Sequence, residues 1–178
     1  TFGRNDNVVL VGKDSIPDAL CSASIAGYLD APILLSDKDE LDEKLLSELG
    51  RLHAKNIYVL SGDKLISRKV KDQLKAKGYN LYDYSGQDRY ETSSKIARFM
   101  NADKQFILTS GQDFYDTPSI SPYSYEKKIP ILLTKKNSMP GHTYDLVKKD
   151  SSILAIGGDQ TIASDVYSQL SKKKVKVD

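Results

Sequence analysis

Val8-Val9-Leu10-Val11-Gly12-Lys13-Asp14, near the start of the chain, is answered later by Ile107-Leu108-Thr109-Ser110-Gly111-Gln112-Asp113. Working outward, Asp18 falls on Asp116, and Pro32-Ile33-Leu34-Leu35-Ser36 falls on Pro130-Ile131-Leu132-Leu133-Thr134. Ile57-Tyr58-Val59-Leu60-Ser61-Gly62-Asp63 meets Ile153-Leu154-Ala155-Ile156-Gly157-Gly158-Asp159, and Ile66, Val70 and Leu74 then meet Ile162, Val166 and Leu170. The matching blocks keep their order, with small deletions only between them. Ordered self-similarity on this scale is the mark of one structural unit written twice.

Each copy reads as strands alternating with helices. Val8–Val11, Ile33–Leu35, Ile57–Leu60 and Leu81–Tyr84 are short β-prone runs bounded by turn residues. Their near-continuous hydrophobicity predicts strands buried on both faces of a parallel sheet. A helix is expected near Pro17–Leu29, with Ser15 as cap and Asp18 at its third position. Leu41, Leu45, Leu46 and Leu49 stand at helical spacing with Gly50 as the stop, and Leu65–Lys77 repeats the pattern up to Gly78. The fold class this predicts is α/β: two tandem Rossmann- or flavodoxin-like three-layer modules with mainly parallel sheets, residues 1–85 and 86–178. Val175–Asp178 is the counterpart of the fourth strand.

The copies meet at Gly86-Gln87-Asp88-Arg89-Tyr90-Glu91-Thr92-Ser93-Ser94-Lys95-Ile96-Ala97-Arg98-Phe99-Met100. Asp88 followed by Glu91 is a capping-box pattern, which predicts a helix from about Arg89 to Met100. The stretch lacks the Gly, Ser and Pro enrichment of a flexible linker, so rigid docking of the two modules is expected.

Composition narrows the function classes. A formal charge of +2 carries no strong nucleic-acid footprint, and the Lys172, Lys173, Lys174 and Lys176 run reads as a solvated tail or strand edge. No apolar run is long enough to span a bilayer. The chain opens on Thr1 without a charged-then-apolar leader, as a processed protein or an excised piece would, which leaves export open. Cys21 is the only cysteine, so no intrachain disulfide is available, and one Cys with His53 and His142 makes no zinc pattern. Cys21 lies in an apolar helix and reads as a buried thiol rather than a nucleophile. Gly12-Lys13-Asp14 is neither a dinucleotide fingerprint nor a P-loop. Asp14, Asp18, Asp113 and Asp116 stand at helix starts, where capping is the preferred reading over a hydrolytic carboxylate set. No catalytic residue, metal or cofactor is expected.

Gly86-x-Asp88-Arg89-Tyr90-Glu91-Thr92 with Ile96-Ala97, the two Pro-Ile-Leu-Leu runs and the Gly-Asp turns at 62–63 and 158–159 resemble the clostridial cell-wall-binding repeat 2 family. The resemblance covers nearly the whole chain as about two modules. In that family such repeats anchor S-layer and other surface proteins noncovalently to an anionic secondary polymer of the Gram-positive wall, usually as threes beside a separate functional domain. The resemblance implies a secreted, wall-associated protein. Its partner would be an anionic polysaccharide or teichoic-acid-like polymer, with a further repeat in the same chain or a homo-oligomer beside it.

Arg89 is the first candidate ligand contact, because its guanidinium fork matches phosphate or carboxylate; the alternative is a carboxylate pair that fixes the joint. Tyr90 is a candidate for stacking on a sugar or for packing, Glu91 for the cap partner of Asp88, and Thr92 and Ser93 for exposed hydroxyl contacts. Pro32 with Leu34 and Pro130 with Leu132 read as strand and core motif. Ser36 and Thr134, at the strand ends, are expected to open into the crevice where α/β sheets bind ligands, with Lys135 and Lys136 supplying charge. Eleven tyrosines without tryptophan suit carbohydrate contact, with Tyr115, Tyr123, Tyr125 and Tyr144 at core or rim. Two other readings stay open: a structural spacer or assembly module of an S-layer-type protein without direct polymer binding, and a nucleotide- or flavin-binding enzyme.

Overall fold

The computed structural model describes residues 2–113 and 117–178. Fifteen elements alternate along the described residues: β1 (Asn7–Gly12), α1 (Ile16–Leu29), β2 (Ile33–Ser36), α2 (Glu43–Leu52), β3 (Asn56–Val59), α3 (Arg68–Ala76), β4 (Asn80–Asp83), α4 (Arg89–Phe99), β5 (Gln105–Ser110), α5 (Thr117–Lys127), β6 (Ile131–Thr134), α6 (Gly141–Tyr144), β7 (Ser152–Ile156), α7 (Ser164–Lys172) and β8 (Lys176–Val177). They build two four-stranded sheets of the same order, β2-β1-β3-β4 and β6-β5-β7-β8, with every pairing parallel. The register repeats with Gly12 at the place of Ser110, one residue away from the Gly12–Gly111 match of the sequence: Gly12 stands opposite Ser36 and Ser110 opposite Thr134, and Pro32 and Pro130 each accept from the neighbouring strand at 3.0 Å, from Val9 and Ile107.

Three apolar clusters define the layers. Val8, Leu10, Ile57 and Val59 pack under α2 and α3 through Leu45, Leu49, Leu52, Ile66, Val70 and Leu74. Phe106, Leu108, Leu132 and Ile153 pack under the helical side that carries Val147, Val166 and Leu170. The third cluster belongs to both halves: Val9, Val11, Cys21 and Ile25 meet Tyr90, Ile96, Ile107 and Leu133. Helices α1, α4 and α5 therefore form a middle layer shared by the two sheets. A helix enclosed on all sides cannot be strongly amphipathic. Accordingly α1 buries every residue from Cys21 to Gly27.

Local chemistry explains the boundaries. Ser15 caps α1 by accepting from the Asp18 amide at 3.4 Å, and Asp30 closes the helix in the left-handed region at φ 49°. The expected stop at Gly50 is displaced: α2 runs on to Leu52 and ends at His53, φ 58°, while Leu41 precedes the helix. Asp88 accepts from the Glu91 amide at 2.9 Å, and the Glu91 carboxylate accepts from the Gln87 amide at 2.7 Å, one residue upstream of the cap itself.

The expectation of strands buried on both faces fails at β2. Ile33 is 39% and Leu35 56% exposed, whereas their counterparts Ile131 and Leu133 are 0% and 1% exposed. The reason is α4, which crosses β6 and has no equivalent over β2 among the described residues.

Candidate functional site

At the C-terminal ends of β1, β3 and β4 the chain turns three times, and the turns surround a crevice of about 830 Å³. The N-termini of α1 and α4 both open onto it, so the positive ends of two helices face one space, with the Asp18 and Glu91 amides already capped by Ser15 and Asp88. Its wall includes Ser15, Asp18, Lys64, Gln87, Arg89 and Lys95. The floor is tied by Ser61, whose hydroxyl accepts from the Gly12 amide at 3.0 Å and donates to the Asp18 carboxylate at 2.8 Å. Burial pushes the Asp18 carboxyl up from its ordinary value, opposed by hydrogen bonds from Ser15 and Ser61 and by the nearby Arg89 charge. Asp18 is thus a buried acceptor in the first turn rather than the cap, and Asp14 lies exposed before that turn. Asp116 and Tyr115 lie outside the described residues.

Three of the sequence candidates converge on Gly111, the residue after β5. Arg89 Nη1 donates to the Gly111 carbonyl at 2.8 Å. The Tyr90 ring, 8% exposed, lies against Gly111 so closely that a Cβ there would collide with it. Lys135 Nζ stands 5.9 Å from the centroid of the same ring. Tyr90 is therefore a packing residue in the middle layer, with cationic side chains at its margin. Lys135 itself is exposed.

The remaining hydroxyl candidates turn inward. Thr92 is buried and accepts from the Gly86 amide at 2.9 Å; Ser93 donates to the Tyr90 carbonyl at 2.9 Å and accepts from the Leu133 amide at 3.2 Å. Ser93 lies on the face of α4 that meets β6, and Thr92 is tied to the Gly86 turn at the crevice, so the expected exposure is corrected for both. Ser36 and Thr134 are buried as well, donating to the carbonyls of Asp37 (2.9 Å) and of Lys135 and Ser138 (3.1 and 3.2 Å). They fold the strand ends shut instead of opening into a crevice. Asp37 pairs with Lys13. Leu34 is half-buried and Leu132 fully buried, while Pro32 and Pro130 are both buried. Tyr125 reaches Asp30 at 3.4 Å, Tyr144 lies under the Lys173 ammonium at 3.8 Å, and Tyr123 is exposed.

Lys64, Lys95 and Ser61 were not among the candidates. Ser61 carries a usable signal: it is the hydroxyl that the first copy places where the second has Gly157, a residue at φ 138°. The crevice lining holds more acidic than basic residues, but several carboxylates are already engaged. Hydrogen bonds from Arg68 and Lys71 hold Asp63 below the ordinary carboxylate range, and the Gln87 amide does the same for Glu91. The equivalent end of the second sheet has an opening of about 800 Å³ lined by Gln112, Asp113, Lys136 and Gln160, without a wall like the start of α4. Cys21 is buried, and desolvation pushes its thiol far up, which keeps it protonated. Among the described residues no cluster of His, Cys, Asp and Glu could hold a metal ion, and no helix is long and apolar enough to cross a membrane.

The pattern of the family described as cell wall binding domain 2 (CWB2) matches residues 3–71 and again residues 84–167. The chain belongs to this family. Two of its solved relatives, Cwp6 and Cwp8 from Clostridium difficile, superpose with TM-scores of 0.87 and 0.88 at 29% and 30% identity. Each superposition covers 98% of this chain, and 28% and 31% of the respective relative. In sequence, the CWB2 chain is 30% identical over 171 residues to the N-acetylmuramoyl-L-alanine amidase LytC of Bacillus subtilis (strain 168). It is 33% identical over 170 residues to the amidase enhancer of the same organism. Those matches cover 95% of this chain but 34% and 23% of the two relatives, so it spans about a third or less of their length. Two tandem CWB2 units make the chain a cell-wall-binding, wall-associated protein.

Proposed function

We propose that the pair of modules, residues 1–85 and 86–178, holds a surface protein on the Gram-positive wall by noncovalent contact with an anionic secondary glycopolymer. In this reading the protein is secreted, resides in the wall or S-layer, and catalyses no reaction itself. The observation that carries the proposal is the meeting of Arg89 and Lys135 around Tyr90 at Gly111, beside the crevice that Lys64 and Lys95 also line. Arg89 supplies a planar fork of donors and Lys135 a mobile point charge, a combination suited to spaced phosphates or carboxylates. Thr92, Ser36 and Thr134 act as supports, since their hydroxyls are committed to the backbone. Retention on purified walls tests the reading: the Arg89→Ala/Lys135→Ala double variant is expected to bind about tenfold or more weakly, with a flatter salt dependence. Equal retention of the native chain on intact walls and on walls stripped of the anionic polymer sinks it.

A spacer role draws support from the uncovered β2 face, and from the Arg89–Gly111 hydrogen bond, which pins the start of α4, a helix of the shared layer, to the end of β5. A further repeat or a second copy of the chain would cover Ile33 and Leu35 there. Under the spacer reading Arg89→Ala lowers the unfolding temperature and leaves polymer affinity unchanged.

A further inference from the structure

We propose that Tyr82 is a stacking platform for a neutral pyranose ring of the wall glycan, a contact separate from the cationic one at Gly111; this rests on the wall-polymer reading above. Tyr58 and Tyr82 are directly paired across β3 and β4, with ring centroids 5.1 Å apart and planes 20° from parallel. Tyr84, on the same face of β4, lies 6.3 Å from Tyr58 at 10°. Phe99, at the end of α4, wedges against Tyr58 at 5.7 Å and Tyr84 at 4.7 Å, and Tyr28 of α1 closes on it edge-first at 5.7 Å. Tyr58 and Tyr84 are half-buried by this block, whereas Tyr82 is 43% exposed. β4 is the edge strand, so one face of the Tyr82 ring rests on Tyr58 and the other meets neither strand nor ring among the described residues.

The chemistry fits a sugar better than a protein side chain. A pyranose presents an apolar C–H face that packs flat on an aromatic ring, while its rim of hydroxyls needs polar partners. Asn80, two residues earlier on the same face, supplies one. Its amide donates to Asn56 at 3.1 Å, and its exposed carbonyl remains available as an acceptor. Asn80, Tyr82 and Tyr84 form a strip about 13 Å long at the usual strand rise. That strip runs directly into Ser85–Arg89, the wall of the crevice, so one polymer chain can follow both. The fold does not need the ladder: the second sheet keeps the same strand order with Leu154 and Asp178 at the positions of Tyr58 and Tyr82. Rings held rigid in advance lose little freedom on binding, which favours a preformed contact.

The test measures retention on purified intact Gram-positive walls across a salt series. Near 1 M salt, where the Debye length is about 3 Å, the charged contacts are screened and the stacking contact persists. Tyr82→Ala and Tyr82→Thr, the latter keeping a strand-forming residue, are expected to lose about tenfold of the high-salt retention. Tyr82→Phe is expected to keep it. Unchanged retention of the Ala and Thr variants overturns the proposal, as does an equal loss in Tyr82→Phe. If Arg89→Ala reduces retention while every Tyr82 variant binds normally, the anionic-polymer reading stands and this one falls. If the native chain is not retained on intact walls at any salt, both fall. Sedimentation showing a dimer that Tyr82→Ala dissociates assigns the face to a second copy and overturns the sugar contact.

Discussion

Ile33-Leu34-Leu35 and Ile131-Leu132-Leu133 are the same three residues on the same edge of two sheets with the same strand order, yet they live in opposite surroundings. The second run is buried beneath α4, and Ser93 even satisfies the amide of Leu133 at 3.2 Å. The first leaves Ile33 and Leu35 substantially exposed. Local sequence thus decides that each run is a strand, and the neighbouring element decides whether it is core. The comparison can be broken by truncation. Ile131→Ala is expected to cost about 2–4 kcal/mol by loss of contacts and creation of a cavity, lowering the unfolding temperature by about 5–15 °C in a chain of this size. Ile33→Ala should cost less than about 0.5 kcal/mol. Equal losses in chemical denaturation would mean that β2 is covered in solution, and repeating the Ile33→Ala measurement at a tenfold lower protein concentration would show whether a second copy covers it.

A second contrast sets the shared layer against the outer one. Gly27, in α1, lies where a Cβ would collide with the backbone carbonyl of Tyr125, its counterpart in the repeat. Gly50, in α2, has open space around the same position. Gly27→Ala must push α1 and α5 apart and is expected to cost about 1–3 kcal/mol. Gly50→Ala removes a helix-interior glycine and should gain about 0.5–1 kcal/mol. A neutral Gly27→Ala would mean that the middle layer is loosely packed and the two modules are not one rigid body.

The repeat, the strand positions and the cap at Asp88 were legible because each depends on residues close in sequence: an apolar run, a turn, a side chain that reaches its own helix. The side chains of Thr92, Ser93, Ser36 and Thr134 were misread for one shared reason. Short hydroxyl residues look solvent-facing on composition, but in the interior they bond back to nearby backbone and need no water. Ser22 and Ser24 of α1 do the same, donating to Ala19 and Cys21 at 2.6 and 2.8 Å. A usable signal existed in the weak amphipathicity of the α4 stretch, since a helix without a clear polar face is commonly enclosed. The convergence of Arg89, Tyr90 and Lys135 at Gly111 was out of reach, because it requires the packing of α4 against the ends of β5 and β6, which lie far along the chain. The ring ladder at Tyr82 likewise depends on the register between β3 and β4, which apolar periodicity does not fix.

The smallest expected effects lie in the first sheet, where two aspartates respond to pH in opposite senses. Burial raises Asp83, but hydrogen bonds from Lys71 and Ser85 outweigh it and hold the carboxyl below its ordinary 3.8. Its folded value is below its unfolded one, so its contribution to stability is present above about pH 4 and is lost as pH falls through the folded value. Asp18 runs the other way. Burial raises its folded value above 3.8, so its contribution is complete below that pH and is lost as pH rises through the folded value. Asp83→Asn should therefore flatten the acid limb of a urea-unfolding profile taken from pH 3 to 7. Because the Asp83 side chain is 45% exposed, solvent screening keeps the change below about 1 kcal/mol. Asp18→Asn, whose amide oxygen can still accept from Ser61, should raise stability at pH 7 and leave the acid limb steep. The second copy has Gly157 in place of Ser61 and cannot repeat the Ser61–Asp18 tie. If Asp18→Asn instead lowers stability at pH 7 as much as Ser61→Ala does, the carboxylate is stabilised by its charge, and the buried-acceptor account of the crevice floor is wrong.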